Sequence, residues 1–216
     1  MELFGRKPFL VCGVVALWGC SILMSFSLLE RYKNRPGEGA AALSEWPSGS
    51  VIPLSPDRPT LIIFAHPRCP CSKASLAELD ALLTDYRSKV SVRVAFYQPT
   101  SKTEEWAKTP LWNSAIRSGA TVSLDADGSE ARRFGAKTSG QVFLYSSSGK
   151  LLFSGGITGA RGHIGDNAGH RALASAIDTG EPSPGQAKVF GCTLFHDGHP
   201  VNALEEREDH EHDKRP

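Results

Sequence analysis

The stretch TLIIFAHPRCPCSKASLAELDALLTDY, residues 60–86, decides the fold. Thr60 to Ala65 is a short, unbroken apolar run, as a strand buried on both faces shows. His66, Pro67, Arg68, Cys69, Pro70 and Cys71 follow at once. Beyond them Leu76, Leu79, Leu82, Leu83 and Tyr86 recur at helical spacing. A buried strand therefore passes through a cysteine-bearing turn into an amphipathic helix. Cys69 falls at the helix N-cap and Pro70 at the first helical position, where its missing N–H costs nothing. The orphan amides of Cys71 and Ser72 then point at the Cys69 sulfur. Their partial positive charge lowers the thiol pKa, and the thiolate is the form that attacks a disulfide.

The rest of the chain extends this pattern. Val90, Val92, Val94 and Phe96 alternate with Ser91, Arg93 and Ala95, which predicts a second strand. Residues 103–118 hold a helix broken or begun at Pro110, and residues 120–124 a third strand. Asp125 to Glu130 turns into a short helix ending at Phe134 and Gly135. Residues 141–145 and 151–155 flank Ser147, Ser148 and Gly149 as a β-hairpin. A glycine-rich stretch with Arg161, His163 and Asp166 reads either as a binding loop or as an insertion. Asp166 or Asn167 caps a last helix running to about Asp178. Strands alternating with helices imply parallel pairing, and the hairpin adds antiparallel strands. The expected class is α/β: a mixed sheet flanked by helices.

The N-terminus is of another kind. Phe9 to Leu29 carries no charge, long enough to cross a hydrocarbon core of about 30 Å. It exceeds the ~7–15 apolar residues of a signal-peptide core, so a retained transmembrane helix is preferred over a cleaved signal or a lipoprotein signal at Cys20. The expected organisation is a membrane anchor over residues 1–35 and a flexible linker over 36–58, rich in Pro, Gly and Ser. The domain follows over 59–180, then a C-terminal extension over 181–216 holding Cys192 and a charged tail. Arg31, Lys33 and Arg35 outnumber Arg6 and Lys7, which by the positive-inside rule favours a cytoplasmic domain. The cysteine chemistry favours the opposite side and is given the greater weight.

With 24 basic and 23 acidic residues the chain has no basic excess to displace counterions, which argues against nucleic acid as a partner. No fixed-period repeat and no P-loop signature occur. Cys12 and Cys20 lie in the apolar span as packing residues. That leaves Cys69, Cys71 and Cys192, an odd number: one thiol stays free, partners exchange, or a metal takes all three.

From HPRCPCSKASL through VSVRVAFYQ to DADGSEARRFGAKTSGQVFLYSSSGKLLFSGGI the chain resembles the thioredoxin-like proteins. Within them it is similar to the membrane-tethered bacterial thiol–disulfide branch (TlpA- and ResA-like), and HPRCPCSKASL also looks like the RedB-like subgroup. The resemblance covers roughly residues 59–180. It implies a periplasmic thiol–disulfide oxidoreductase with no cofactor and a protein dithiol or disulfide as partner, using Cys69 and Cys71. Three departures stand out. One residue, Pro70, separates the cysteines instead of two; residues two apart in a helix point about 200° apart, so a bond between them is possible but distorts the first turn. Gly140, preceded by Thr138 and Ser139, stands where the family carries a cis-proline. Cys192 lies beyond the last expected helix, either as packing or as a resolving thiol. His66, Pro70, Thr138 and Gly140 are the expected supporting residues. Two alternatives stay open: a copper(I) or zinc site built from Cys69, Cys71, Cys192 and His66, and a redox-inactive binding module on the same fold. His196, His199, His210 and His212 read as a solvated tail or a weak metal trap.

Overall fold

The computed structural model describes residues 6–195. The chain divides into two units, one ending at Arg35 and one beginning at Pro36. The first is a single helix, α1 (Arg6–Lys33), long and apolar enough from Val11 onward to cross a membrane. Ser21 and Ser25 return their hydroxyls to the carbonyls of Leu17 and Ser21, one turn back, so neither needs an outside partner.

The second unit is built on five strands: β1 (Thr60–Ala65), β2 (Ser91–Gln98), β3 (Thr121–Ala126), β4 (Gln141–Tyr145) and β5 (Leu151–Gly155). Their order is β3-β2-β1-β4-β5, with β1 parallel to β2, β2 parallel to β3, and β4 antiparallel to both β1 and β5. The helices are α2 (Pro70–Tyr86), α3 (Glu104–Ala107), α4 (Pro110–Arg117), α5 (Ser129–Arg133) and α6 (Ala168–Thr179). Element order and mixed pairing are those expected from the apolar patterning. Strand β1 is central and all six of its residues are buried. Its alternate residues feed two cores. Leu61, Ile63 and Ala65 face Leu76, Leu79, Leu82 and Leu83 of α2, with Leu173 and Ile177 of α6. Ile62 and Phe64 face Phe134, Phe143 and Tyr145 on the other side.

The second face explains a correction. Residues 36–58, expected as a flexible linker, pack against the domain instead. Only the short helices α3 and α5 cover that face, so its apolar rings need further cover from irregular chain. Ala40, Ile52, Trp46 and Leu54 supply it, Trp46 meeting Phe134 and Tyr145 edge-on. Backbone bonds fix the segment: Trp46 N–H donates to Gly149 and Leu151 N–H to Ser44. The domain boundaries widen at the other end too. Leu194 and Phe195, placed by the sequence reading in a separate extension, are buried in the same core. The histidine-containing tail beyond them lies outside the described residues.

Candidate active site

Strand β1 delivers the chain into the His66–Arg68 turn, and the Cys69 N–H donates to the His66 carbonyl at 3.2 Å. Cys69 is the N-cap of α2, with extended backbone (φ −84°, ψ 122°) and Pro70 behind it in the first turn. It makes no capping hydrogen bond through its side chain, so the amides of Cys71 and Ser72 act on the sulfur electrostatically, at longer range. Its extended backbone also corrects an expectation. The 200° divergence holds for two residues inside a helix, and Cys69 is not inside it. The sulfurs of Cys69 and Cys71 consequently belong to one cluster, which Cys192 completes: the three lie within 4.8 Å of one another.

Cys192 reaches this cluster because its segment pairs with the loop before β4. The Ser139 N–H donates to the Cys192 carbonyl at 2.8 Å, and Leu194 N–H to Lys137 at 2.9 Å. Thr138 and Thr193 face each other as an antiparallel bridge. The Cys69 and Cys192 sulfurs are 3.0 Å apart. Gly191 permits the approach, since a Cβ there would stand 1.9 Å from the Ser139 carbonyl oxygen. Gly191→Ala is therefore expected to lift residues 191–195 off the loop, at a cost of about 1–3 kcal/mol. Lifting the segment exposes Cys69, now 3% exposed, but also removes the Cys192 hydrogen bond that keeps it ionised. Alkylation is therefore compared above about pH 9, where the free thiol also ionises, and should be faster in the variant; an unchanged rate and an unchanged thermal midpoint would refute the docking.

The cluster is electrostatically uneven. The hydrogen bond from the Cys192 sulfur is the main cause that pulls the Cys69 thiol down to about 4, against the opposing effect of burial; the amides of Cys192, Ser72 and Cys71 add to it. Cys192 is pushed up, chiefly because its proton is held by the Cys69 thiolate and then by burial. Burial, followed by the charge on Cys69, raises Cys71. Arg161 opposes both rises. One proton is thus shared along the Cys69–Cys192 contact, and the helix amides bias it onto Cys192.

The supporting residues fall differently. His66 stays outside the sulfur cluster. Its ring stacks on Tyr97 at 5.7 Å and meets Trp106 edge-on at 5.6 Å, while its Nδ1 accepts from the Arg68 N–H. Of the alternative metal-ligand set, the structure groups Cys69, Cys71 and Cys192 without it. Thr138 is buried and donates its hydroxyl to the Glu38 carbonyl. Gly140 adopts φ 89°, a left-handed conformation that suits glycine, and its N–H donates to Phe64 at 2.8 Å. Among the described residues no peptide bond is cis. Two serines that the motif reading passed over tie the two loops together. Ser72 Oγ and Ser139 Oγ are 2.7 Å apart; Ser72 also donates to the His66 carbonyl, and Ser139 accepts from the His66 N–H. Arg161 comes from the glycine-rich loop, whose base is pinned to α2 where buried Glu78 accepts from the Gly165 N–H and meets His170 Nδ1 at 2.9 Å. Only its position in that loop had marked it.

A central β1 between parallel β2 and antiparallel β4, with a cysteine capping the helix that follows β1, settles the architecture. The chain has a thioredoxin-like fold. Solved structures resemble it to different extents. One, a hypothetical protein of Sinorhizobium meliloti 1021, is 21% identical over 76% of this chain and 96% of that one, with a TM-score of 0.54. Another, an uncharacterized conserved protein of Geobacillus kaustophilus, is 20% identical over 77% and 95%, with a TM-score of 0.53. A secreted disulfide oxidoreductase of Mycobacterium tuberculosis, homologous to E. coli DsbE, is 15% identical over 58% and 83%, with a TM-score of 0.40. At such identities the likeness to the first two is one of fold alone. No family model matches the chain, and no curated protein matches it. The docked segment after α6 brings a third sulfur to the start of α2.

Proposed function

We propose that the chain is a membrane-anchored thiol–disulfide oxidoreductase in which Cys69 is the nucleophile and Cys192 its resolving partner. The observation that carries this reading is the 3.0 Å contact between those two sulfurs at the start of α2. Cys69 thiolate attacks one sulfur of a partner protein's disulfide. A mixed disulfide forms, and the partner's other sulfur leaves as a thiolate that takes a proton. Cys192 then loses its proton and attacks the Cys69 sulfur, releasing the partner's second thiolate. The partner ends as a dithiol, reduced by two electrons, and Cys69–Cys192 is the oxidised pair. The reverse sequence oxidises a partner dithiol. Cys71, raised by burial and by the charge on Cys69, is the reserve thiol.

The pairing is tested by oxidising the protein, digesting it without reduction and mapping the linked peptides by mass. A Cys69–Cys192 link with Cys71 free to alkylate is the expected result. The link closes a loop across 123 positions, which in the chain-entropy model contributes about 5 kcal/mol. A Cys69–Cys71 link would overturn the pairing, and three free thiols after oxidation would overturn the redox reading. Helix α1 serves as the membrane anchor in this reading, with the domain on the extracytoplasmic side, where disulfides persist. A C-terminal reporter active only in the cytoplasm would reverse that placement.

A further inference from the structure

The sulfurs of Cys69, Cys71 and Cys192 are the one grouping of three or more metal-competent atoms among the described residues, and no histidine nitrogen or carboxylate oxygen joins them. Thiolates hold a metal at about 2.3 Å, so a flat three-coordinate centre needs its sulfurs about 4.0 Å apart. The separations in the structure are close to that value: 3.0 Å between Cys69 and Cys192, and no more than 4.8 Å for the others. Side-chain rotation of about 1 Å at each sulfur reaches it. The backbones need not follow. Cys69 and Cys71 are held by the first turn of α2, and Cys192 by its bond to Ser139.

We propose that in the fully reduced protein Cys69, Cys71 and Cys192 form a three-thiolate site for copper(I). The donor set selects the ion. Three soft sulfurs exclude magnesium and calcium, which take oxygen ligands. Structural zinc is four-coordinate and tetrahedral, and among the described residues no fourth protein ligand joins the cluster. The nearest histidine in the turn, His66, already has its ring between Tyr97 and Trp106 and its Nδ1 on the Arg68 amide. Copper(I) accepts three thiolates without a fourth donor. On binding, three copper–sulfur bonds form, every thiol still protonated releases its proton to solvent, and no electron moves. Three thiolates around a monovalent ion leave two negative charges in a largely buried site. Arg161, whose charge acts on Cys71 and Cys192, and the N-terminal amides of α2 offset them. Metal binding and disulfide formation exclude each other here, since a Cys69–Cys192 bond removes two ligands. The inference itself stands on the sulfur positions, whether or not the protein exchanges disulfides.

The test uses the full-length chain in detergent, reduced and kept free of oxygen, titrated with copper(I) against bicinchoninate as competing chelator. One copper(I) per chain is expected to be withheld from the chelator, with three sulfurs at about 2.3 Å by X-ray absorption. Iodoacetamide should then fail to label Cys69, Cys71 or Cys192, a readout that needs no variant. Each of Cys69→Ser, Cys71→Ser and Cys192→Ser should weaken retention by more than the about 100-fold that losing an outer-shell partner costs. Full retention in Cys71→Ser would mean a two-sulfur site and overturn the proposal. So would retention in the triple variant, or displacement of the copper by one equivalent of zinc.

Discussion

Replacing Cys69 with serine should abolish thiol–disulfide exchange at pH 7, by about 10³-fold or more. Of the three sulfurs only Cys69 is held as a thiolate, near 4. Cys71 and Cys192 are both raised, so at neutral pH they are protonated and slow. A serine hydroxyl in the N-cap gains the same amides but has no accessible anion. Cys192→Ala should behave differently. It removes the hydrogen bond that does most to lower Cys69, so attack on a small disulfide slows, yet the first half of the exchange survives. The mixed disulfide then accumulates because its nearest resolving sulfur is gone. Single-turnover kinetics with an aromatic disulfide, followed by intact mass, separates the two outcomes. A Cys69→Ser protein that keeps a tenth of the exchange rate would move the nucleophile to another sulfur.

The parts of this arrangement that were legible in the sequence are those with a period. The unbroken run from Thr60 to Ala65 marks β1 because a strand covered on both faces has no polar side to alternate with. The leucines of residues 76–83 mark α2 because their helical spacing matches one buried stripe. Cys69 at the N-cap follows from those two boundaries and from Pro70. What escaped was aperiodic. Ala40, Trp46, Ile52 and Leu54 sit among Pro, Gly and Ser in irregular backbone, so nothing in their spacing tells a tether from a strap. Their docking is dictated by a sheet face that short helices leave uncovered, which is a tertiary fact. The angle between the Cys69 and Cys71 side chains is not legible from the wheel geometry of a helix, because a ψ of 122° puts Cys69 outside it. Arg161 belongs to a glycine-rich loop, where the path of the backbone cannot be read from residue type. Cys192 could be expected near Cys69 only because VFGCTLF is too apolar to stay in water; its register against Ser139 depends on Gly191 having no side chain.

The pH dependence of the reduction potential should be half that of an ordinary dithiol. Reduction of the Cys69–Cys192 bond takes two electrons and as many protons as thiols are formed. An unperturbed pair below about pH 8.5 takes up two, and a tenfold change in a two-electron equilibrium is about 30 mV, giving about 59 mV per pH unit. Here the reduced pair holds one thiolate and one thiol from about 4 upward. One proton is consumed, and the slope falls to about 30 mV per pH unit. Stability follows with a definite sign. The folded-state value of Cys69 lies below its unfolded value of about 8.5, so the thiolate stabilises the reduced fold fully above that value. The contribution declines as pH falls and is gone below about 4. The disulfide form has no such group. Acidification from pH 8 to pH 5 should therefore widen the gap in thermal midpoint between oxidised and reduced protein, the reduced form losing ground. Equilibration against glutathione at several pH values, read by alkylation and mass, gives the slope. About 59 mV per unit across pH 5 to 8 would mean that Cys69 is protonated in the reduced protein, and the electrostatic basis for its reactivity would fall with it.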